Sequence, residues 1–354
     1  MAQAISEALL ELESNVAVST MNVFSAECSI FPLTAIPRLY ALFTVSYPAL
    51  WHTLYYSTNN HARYTLVERL VQPLIRPKLK GVLNAIRPDV IVSVFPALGY
   101  TIQRAVQELG WHTPLGIVVA DLVSIHQAWR CPNATWYAVP TDEARNSFAS
   151  AGIDPGSIHV FGLPLRRAFL RQPPDRFGLR RELGLPMGKS VVLVTGGGEG
   201  TGELEDMVDA LLASHLPYHL VVVTGRNERL RRSLVRKTQG LPCWVLGYVT
   251  NMARWMWASD VIVTKAGPST IVEAVHCGLP MVLTGAIPGQ EEGNVSFVLS
   301  NGLGVMATEP RDVVPSVAKL LTAPTLVAEI RSAMQRIRRP QAALEIARLI
   351  LASC

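Results

Sequence analysis

VIVTKAGPSTIVEA, residues 261–274, is the stretch that decides the fold. The apolar run Val261–Thr264 predicts a buried strand, and the segment from Pro268 onward predicts a helix, with a lysine and a glycine between them. A strand that leads directly into a helix is the unit of a parallel sheet, and ligands bind at the edge where that turn lies. We therefore predict an α/β fold with a ligand site here.

Short apolar runs recur along the chain with helical segments between them, as a parallel sheet covered on both faces requires. The chain has 354 residues, 49% of them apolar, which is enough for two buried cores. We predict two α/β domains with strands at Val90–Phe95, Leu115–Val119, Val191–Thr195, His219–Thr224, Cys243–Leu246, Val261–Thr264 and Pro280–Leu283.

The turn within residues 261–274 carries groups that suit a diphosphate. Lys265 supplies positive charge, Gly267 admits close approach, and Ser269 and Thr270 bring hydroxyls to a helix N-terminus whose amides attract anions. Glu273, one turn further, can accept hydrogen bonds from ribose hydroxyls. The alternative is a helix capped by Ser269, but the lysine and the acid add nothing to a cap.

Three other loops follow predicted strands. Gly196–Gly200 precedes a helical pattern that starts near Gly202, Thr224–Asn227 offers Arg226 to phosphate oxygens, and Gly285–Asn294 carries amide and carboxylate groups that suit sugar hydroxyls. Each has an ordinary alternative: a tight glycine turn, a solvated arginine and a polar surface turn.

Gly162–Pro186 is rich in arginine and proline, and Pro173 with Pro174 cannot continue a helix or a strand. We predict a loop-like linker at 166–186, between an N-terminal domain at 1–165 and a C-terminal domain at 187–339. The final segment, Pro340–Ser353, predicts one amphipathic helix able to pack on either domain.

The C-terminal half resembles the family of monogalactosyldiacylglycerol synthases and processive diacylglycerol glucosyltransferases and, more distantly, the cell-wall N-acetylglucosaminyltransferase. The shared motifs are GGGEG at 196–200, GRN at 225–227, LGYV at 246–249, TKAGPSTIVEA at 264–274 and PGQEEGN at 288–294. The resemblance implies the GT-B fold, two doubly wound Rossmann-like domains facing a cleft. It also implies that residues 340–354 join the N-terminal domain and that Arg166 lies at the hinge.

The resemblance further implies how a UDP-sugar donor would bind. Gly247–Val249 would hold the uracil, Glu273 the ribose, Lys265–Thr270 the diphosphate, and Gln290 with Glu291 the sugar. The predicted donor-binding residues are Arg166, Gly197, Gly198, Gly225, Arg226, Asn227, Gly247, Tyr248, Val249, Lys265, Ala266, Gly267, Pro268, Ser269, Thr270, Glu273, Gly289, Gln290, Glu291 and Asn294.

The N-terminal half resembles the same family less densely. Ile117–Leu122 followed by His126–Trp129 is similar to the family's VVTDL…HPTW segment, so Asp121 and His126 are candidate catalytic bases. The chain opens in a predicted helix, Ala2–Ala8, where relatives begin with a strand and a glycine-rich loop carrying a histidine. We expect either that the chain starts late or that it dispenses with that loop.

The segment Ile30–Tyr56 is dense in aromatic and aliphatic residues, and prolines exclude a single spanning helix there. A basic stretch, Arg63–Arg87, follows, with Glu68 its only acid. Together with a net charge of +5, this favours peripheral contact with an anionic membrane, expected on its cytoplasmic face. Ordinary core and solvated helix faces are the alternative.

The expected reaction is inverting transfer of a hexose from UDP-galactose or UDP-glucose to diacylglycerol, without a bound metal, a cofactor or a nucleic acid partner. The alternatives are transfer to another lipid-linked acceptor, such as a peptidoglycan intermediate, or donor binding without catalysis. A dinucleotide-dependent oxidoreductase would need a GxGxxG turn, and Gly196–Gly202 is too irregular for one.

Overall fold

The computed structural model describes residues 1–25, 28, 30, 33–198, 200, 204–214 and 216–354, apart from the side chains of residues 33, 37, 38, 41 and 45. The chain divides into two compact units. The N-terminal unit comprises Met1–Arg166, Pro288–Gln290 and Arg339–Cys354, and the C-terminal unit comprises Arg167–Ile287 and Glu291–Arg338.

Helices and strands alternate along most of the chain. The helices are α1 Ala2–Leu12, α2 Ile36–Ser46, α3 Pro48–Thr58, α4 His61–Ile86, α5 Gly99–Glu108, α6 Asp142–Ser150, α7 Arg167–Leu170, α8 Arg176–Glu182, α9 Leu204–Ala213, α10 Glu228–Lys237, α11 Met252–Ala258, α12 Pro268–Cys277, α13 Glu292–Ser300, α14 Pro310–Thr322, α15 Pro324–Ile337 and α16 Ala342–Leu351. The strands are β1 Ile91–Ser93, β2 Leu115–Val118, β3 Trp136–Val139, β4 Ile158–Val160, β5 Ser190–Thr195, β6 Tyr218–Val223, β7 Cys243–Leu246, β8 Val261–Thr264, β9 Met281–Leu283 and β10 Gly304–Met306.

The N-terminal unit is built on a parallel sheet of order β1-β2-β3-β4 with a core on each face. Ile117 and Tyr137 pack in the core that α4 and α5 cover, whereas Val118 and Trp136 pack in the core that α1 and α16 cover. Successive side chains of a strand point to opposite faces, so each strand contributes to both cores. A Cβ on Gly116 would lie 2.1 Å from the Trp136 ring, so glycine makes room for that indole.

The C-terminal unit holds a parallel sheet of order β10-β9-β8-β5-β6-β7, whose central strands are fully buried. The strand order reverses beside β5, which has β6 on one side and β8 on the other. In an open parallel sheet this switch point, at the carboxyl ends of the strands, is where a crevice forms. The turn after β5 is the glycine-rich one that starts at Gly196, and the turn after β8 contains Lys265.

The predicted strands are confirmed within a residue or two at each end, and the opening and closing helices are confirmed as α1 and α16. The sequence prediction missed β3, β4 and β10. The loop-like description of 162–186 was wrong in part, because α7 and α8 lie within it on either side of Pro173 and Pro174. Arg180 stabilises α8 against the unit by pairing with Asp260 at 2.6 Å.

The aromatic segment before residue 60 forms two helices, and α3 begins at Pro48, where the proline ends any continuous helix. Within the described part of the chain, no single helix has the length and apolar composition to cross a membrane. The pair Pro310–Thr322 and Pro324–Leu351 meets that requirement only jointly and is bent by 90°.

Candidate functional site

The candidate donor site lies in the C-terminal unit, where the turns after β5, β6 and β8 meet. Thr195 at the end of β5 is in register with Val223 of β6 and Thr264 of β8, so the residues that follow share one sheet edge. The residues this brings to one edge include Gly197, Gly198, Gly225, Arg226 and Lys265.

The turns after β5 and β6 are locked together through their backbones. The Arg226 N–H donates to the Gly198 carbonyl at 2.8 Å. Gly225 has φ +59°, and a Cβ there would lie 2.3 Å from the same carbonyl oxygen, so this close approach requires glycine. Glu199 of the GGGEG motif and Gly202, near which the following helix was predicted to start, lie outside the described residues.

Asn227 supports this loop rather than pointing outward from it. Its Oδ1 accepts from the Leu230 N–H at 3.0 Å and caps α10, and its Nδ2 donates to the Gly200 carbonyl at 3.3 Å. The amide therefore fixes the turn that presents the neighbouring Arg226.

Arg226 and the turn after β7 form an aromatic and cationic corner. The Arg226 guanidinium lies over the Tyr248 ring, 4.9 Å from its centre, and the Tyr248 side chain is 58% exposed. Gly247 lies beside Arg231, whose Cδ would be 3.2 Å from a Cβ at that position. Val249, the third residue predicted to hold uracil, follows in the same turn.

The N-terminus of α12 has no side-chain cap among the residues that the structure describes. The helix begins at Pro268 and its N-cap is Gly267, so Ser269 does not serve as its cap. The uncapped amides and the hydroxyls of Ser269 and Thr270 give this end of the helix positive potential and donors for an anion.

Lys265 is held beside this helix end by a buried carboxylate. Its Nζ donates to Glu291 Oε1 at 2.5 Å, and Glu291 Oε2 accepts from the Ile287 N–H at 2.9 Å. The Glu291 side chain is only 4% exposed and that of Lys265 is 22% exposed. A Cβ on Gly267 would lie 3.4 Å from Lys265 Nζ and 3.9 Å from Thr270 Oγ1, so these groups surround a glycine that leaves the space open.

Other predicted donor residues take supporting positions around this turn. Asn294 is 1% exposed, and its Nδ2 donates to the Ala266 carbonyl at 2.9 Å. Glu273 lies on α12 next to Cys277, and with burial its charge raises the pKa of that thiol. Arg166 is the last residue of the first segment of the N-terminal unit.

Gly289 and Gln290 belong to the N-terminal unit. Gln290 Oε1 accepts from the Tyr40 hydroxyl at 3.1 Å. Gly289 has φ +77°, and a Cβ there would lie 2.6 Å from the Tyr55 ring. These two residues therefore pack on α2 and α3, whereas Glu291 belongs to the C-terminal unit.

The two predicted catalytic bases both serve as hydrogen-bonding partners inside the N-terminal unit. Asp121 is 7% exposed, and its Oδ2 accepts from Trp129 Nε1 at 2.6 Å. His126 Nδ1 accepts from the Ala128 N–H at 3.0 Å, so the proton is on Nε2, which donates to the Tyr55 carbonyl at 3.2 Å. Burial lowers the pKa of His126 and keeps the ring neutral.

Glu68 on α4 is a titratable group that the sequence prediction missed. Burial raises its pKa to about 7, and interaction with the nearby Tyr64 hydroxyl opposes this rise only in part. The Tyr64 ring lies 5.9 Å from the His126 ring. The available signal was spacing, because the half-buried Glu68 lies four residues from each of the buried residues Tyr64 and Gln72 on α4.

Two family descriptions match the chain. Residues 1–165 match the family described as "Monogalactosyldiacylglycerol (MGDG) synthase", and residues 191–294 match the one described as "Glycosyltransferase family 28 C-terminal domain". A solved structure described as "S. aureus MnaA-UDP co-structure" shares 16% identity and a TM-score of 0.63, covering 98% of this chain and 92% of that one. This likeness shows the fold and confirms the expected GT-B architecture of two Rossmann-like domains.

The chain is 32% identical to monogalactosyldiacylglycerol synthase 1 of Arabidopsis thaliana over 326 residues, covering 89% of this chain and 61% of that protein. It is 31% identical to monogalactosyldiacylglycerol synthase 2 of the same plant, covering 89% of this chain and 69% of that protein. The chain thus spans about three fifths to two thirds of the length of these relatives. By this similarity over both units, the chain belongs to the monogalactosyldiacylglycerol synthase family.

Proposed function

We propose that this chain transfers a hexose, galactose or glucose, from a UDP-sugar to diacylglycerol with inversion at the anomeric carbon. The observation that carries the proposal is the uncapped N-terminus of α12 with Lys265 held beside it at the switch point of the sheet. The matched relatives are described as monogalactosyldiacylglycerol synthases, and a structural neighbour is described as a complex with UDP.

The diphosphate is the group that best suits the site formed by Lys265, Arg226 and the N-terminus of α12. Departure of UDP leaves negative charge on the diphosphate, and the lysine, the helix amides and Arg226 stabilise that charge without a metal. Lysine has three N–H donors, of which Glu291 takes one, so two remain for phosphate oxygens. Moving the ammonium off Glu291 would leave a buried carboxylate short of a partner, so Glu291 acts as a positioning residue for Lys265.

The nucleoside would extend from the diphosphate toward the turn after β7. The Tyr248 ring offers an exposed aromatic face, and the backbone groups of Gly247 and Val249 offer donors and acceptors to uracil. Glu273 lies one turn into α12, where a carboxylate accepts from ribose hydroxyls. Gln290 is the residue we assign to the sugar.

The acceptor half of the reaction needs access to a lipid. Helices α2, α3 and α4 contact one another in sequence and carry an unusual number of exposed large apolar side chains. They include Leu39, Leu42, Leu50, Leu54, Tyr56, Leu66, Val67, Leu70 and Ile86, and Tyr47 is exposed between α2 and α3. Exposed apolar surface with the arginines of α4 beside it suits contact with an anionic membrane, from which diacylglycerol would be drawn.

In an inverting transfer the acceptor hydroxyl attacks the anomeric carbon from the face opposite UDP, loses its proton, and forms the new C–O bond as the bond to UDP breaks. An α-linked donor therefore gives a β-glycoside. Asp121 and Glu68 are the carboxyl groups that we propose for proton transfer, and burial raises the pKa of Glu68 to about 7. His126 is less suited, because both its ring nitrogens are engaged.

The test is transfer from UDP-galactose and from UDP-glucose to diacylglycerol in mixed micelles, with the anomeric configuration of the product determined by NMR. We expect a β-linked monoglycosyl product from one of the two donors. An α-linked product would contradict inversion. Tight UDP binding with no product from either donor would contradict the transferase proposal and leave a donor-binding protein.

A further inference from the structure

A cavity of about 250 Å³ lies in the C-terminal unit, away from the donor turns. Ser259, just before β8, and Gly278, between α12 and β9, are in its lining. These residues lie at the amino ends of parallel strands, whereas the donor turns follow the carboxyl ends. The cavity is therefore at the opposite edge of the sheet, at the C-terminal end of the helix whose N-terminus faces the donor site.

The lining of this cavity is cationic. Arg176, Arg331 and Arg338 line it together with Gln172 and Gln335, and none of its lining residues is acidic. Three guanidinium groups around one small space repel one another. Burial lowers the pKa of Arg176, and the charge of the nearby Arg331 adds to that effect.

The carboxylate of Asp260, next to the lining residue Ser259, does not balance this charge. Asp260 pairs with Arg176 at 2.8 Å and with Arg180 at 2.6 Å, so two guanidinium groups share it. Arg331 and Arg338 have no carboxylate within ion-pair distance among the residues that the structure describes. The cavity therefore keeps a net positive charge.

Arg331 and Arg338 are each held through Nε, which leaves their Nη groups to face the cavity. Arg331 Nε donates to the Gly278 carbonyl at 3.1 Å, and Arg338 Nε donates to the Val275 carbonyl at 2.9 Å. Within the described ranges, no protein acceptor takes a hydrogen bond from their Nη groups. Gly278 has φ +61°, and a Cβ there would lie 3.1 Å from Arg338 Nη2, so glycine lets the guanidinium lie against the cavity wall.

A purely structural role would be to satisfy the last carbonyls of α12, which both arginines do with Nε. That role does not account for the Nη groups of Arg331 and Arg338. Arg176 is held more firmly, because its Nε donates to the Trp257 carbonyl at 3.1 Å and its Nη2 pairs with Asp260 at 2.8 Å. The side-chain amides of Gln172 and Gln335 also make no hydrogen bond to protein in the part of the chain the structure describes, so further donors face the same space.

We propose that this cavity binds a phosphate-bearing anion. Planar guanidinium groups match phosphate oxygens in pairs, and several arginines converging on one space are the usual arrangement for such a group. The volume is below the roughly 300–1,000 Å³ of typical small-molecule pockets. It therefore suits a phosphate with a small substituent rather than a second nucleotide-sugar.

The test uses the full chain with its donor site saturated by UDP, so that added phosphate cannot bind at α12. Isothermal titration calorimetry with inorganic phosphate and with glycerol 3-phosphate probes a soluble ligand. Flotation with phosphatidylcholine vesicles, with and without a diacylglycerol phosphate, probes a lipid headgroup. The variants are Arg338→Gln and Gln335→Glu. The matched control is Arg336→Gln, which lies on α15 next to Gln335 but outside this cavity.

We expect one-to-one binding that weakens at least tenfold in Arg338→Gln and Gln335→Glu but not in Arg336→Gln. Dependence on Arg338 in the calorimetry identifies a soluble phosphate compound, and dependence only with the vesicles identifies a headgroup. Gln335→Glu keeps every arginine contact, so its phosphate binding tests the proposal if Arg338→Gln does not fold. Unchanged affinity of Gln335→Glu for UDP verifies that this variant is folded. Absence of binding in both assays, or equal loss in Arg336→Gln, would overturn the proposal.

Discussion

The ammonium group of Lys265 pairs with the buried carboxylate of Glu291 but stays partly exposed. We therefore expect Lys265 to dominate affinity for the diphosphate. Replacing it with glutamine removes a charge-assisted hydrogen bond, worth about 1.5–3 kcal/mol. Affinity for UDP should therefore fall roughly 10–100-fold by calorimetry. Lys319→Gln, at an exposed lysine on α14, is the control and should leave the affinity unchanged. Equal affinities for both variants would refute a role of Lys265 at the diphosphate.

Glu68 should make stability depend on pH in a direction opposite to that of a salt-bridged acid. Its pKa rises from 4.5 to about 7 on folding because burial favours the neutral form. The folded state then binds more protons than the unfolded state between these values, so its stability falls as pH rises through that window. Glu68→Gln, which mimics the neutral acid, should gain thermal stability relative to the parent chain from about pH 5 to pH 8.

The control for this titration is Glu329→Gln, at an exposed position on α15. Its melting temperature, followed by circular dichroism over the same pH range, should run parallel to that of the parent chain. A Glu68→Gln curve that also ran parallel would show that the carboxyl titrates normally.

The residues of the candidate donor site could be selected from the sequence, but their partners could not. Glycines, a lysine and hydroxyls at strand-to-helix turns are local patterns. The contact of Lys265 with Glu291 joins residues 26 apart and depends on how two turns fold over one sheet edge. Likewise, the hydrogen bond that engages His126 Nε2 involves the Tyr55 carbonyl, 71 residues away. No local pattern contains that information, and the donor roles themselves stay predictions.

Among the elements, the strands with continuous apolar runs were predicted almost to their ends. In the C-terminal sheet, β5 and β8 are buried almost throughout and contain four or more consecutive apolar or threonine residues. The missed strands are short, and two of them contain a residue that weakens the pattern: His159 in β4 and Gly304 in β10. They form strands because a neighbouring strand offers a ladder of partners, which is a tertiary effect.

The exposed face of α4 gives a prediction at the scale of the element. Leu66 and Leu70, one turn apart, are 59% and 69% exposed. If they enter a bilayer, burying each leucine contributes about 1.5–3 kcal/mol at most, so Leu66→Ser with Leu70→Ser should weaken binding to anionic vesicles by tenfold or more. Leu241→Ser, at an apolar residue of the C-terminal unit that is 47% exposed, is the control in the same sedimentation assay.

This pair of substitutions should leave the melting temperature close to that of the parent chain, because neither leucine packs in the core. Unchanged vesicle binding at unchanged stability would show that α4 does not contact the membrane. A large fall in melting temperature would instead show that the leucines stabilise the fold.

The packing of α16 against α1 is a second element whose contribution can be measured. Ile346 is fully buried between these helices and the β2–β3 face. Ile346→Ala removes three carbon atoms from that core, and we expect the free energy of unfolding to fall by about 2–5 kcal/mol in urea titrations. Leu10→Ala, on α1 but 51% exposed, should change it by no more than about 0.5 kcal/mol. Equal effects would contradict the burial of Ile346.

At the scale of the whole molecule, the chain returns to its first unit at the end, since Arg339–Cys354 belongs with Met1–Arg166. The helical spacing of apolar residues predicted the closing helix but left open which domain it covers. Amphipathicity shows that one face of a helix is buried, but it does not show against which domain that face packs. The resemblance supplied that assignment. Each unit has its own parallel sheet and its own buried core, as two separately packed α/β domains require.

The distribution of the donor site over the molecule can be tested by hydrogen exchange with and without saturating UDP. The turns after β5, β6 and β8 and the first turn of α12 all belong to the C-terminal unit, so ligand contact should slow exchange there. Exchange in β2 and β3 of the N-terminal unit should stay the same, since those strands carry none of the predicted donor groups. Lys265→Gln, measured at the same UDP concentration, separates specific protection from a general effect. Protection spread evenly over both sheets would mean that UDP stabilises the chain as one body, and protection confined to the N-terminal sheet would place the nucleotide elsewhere.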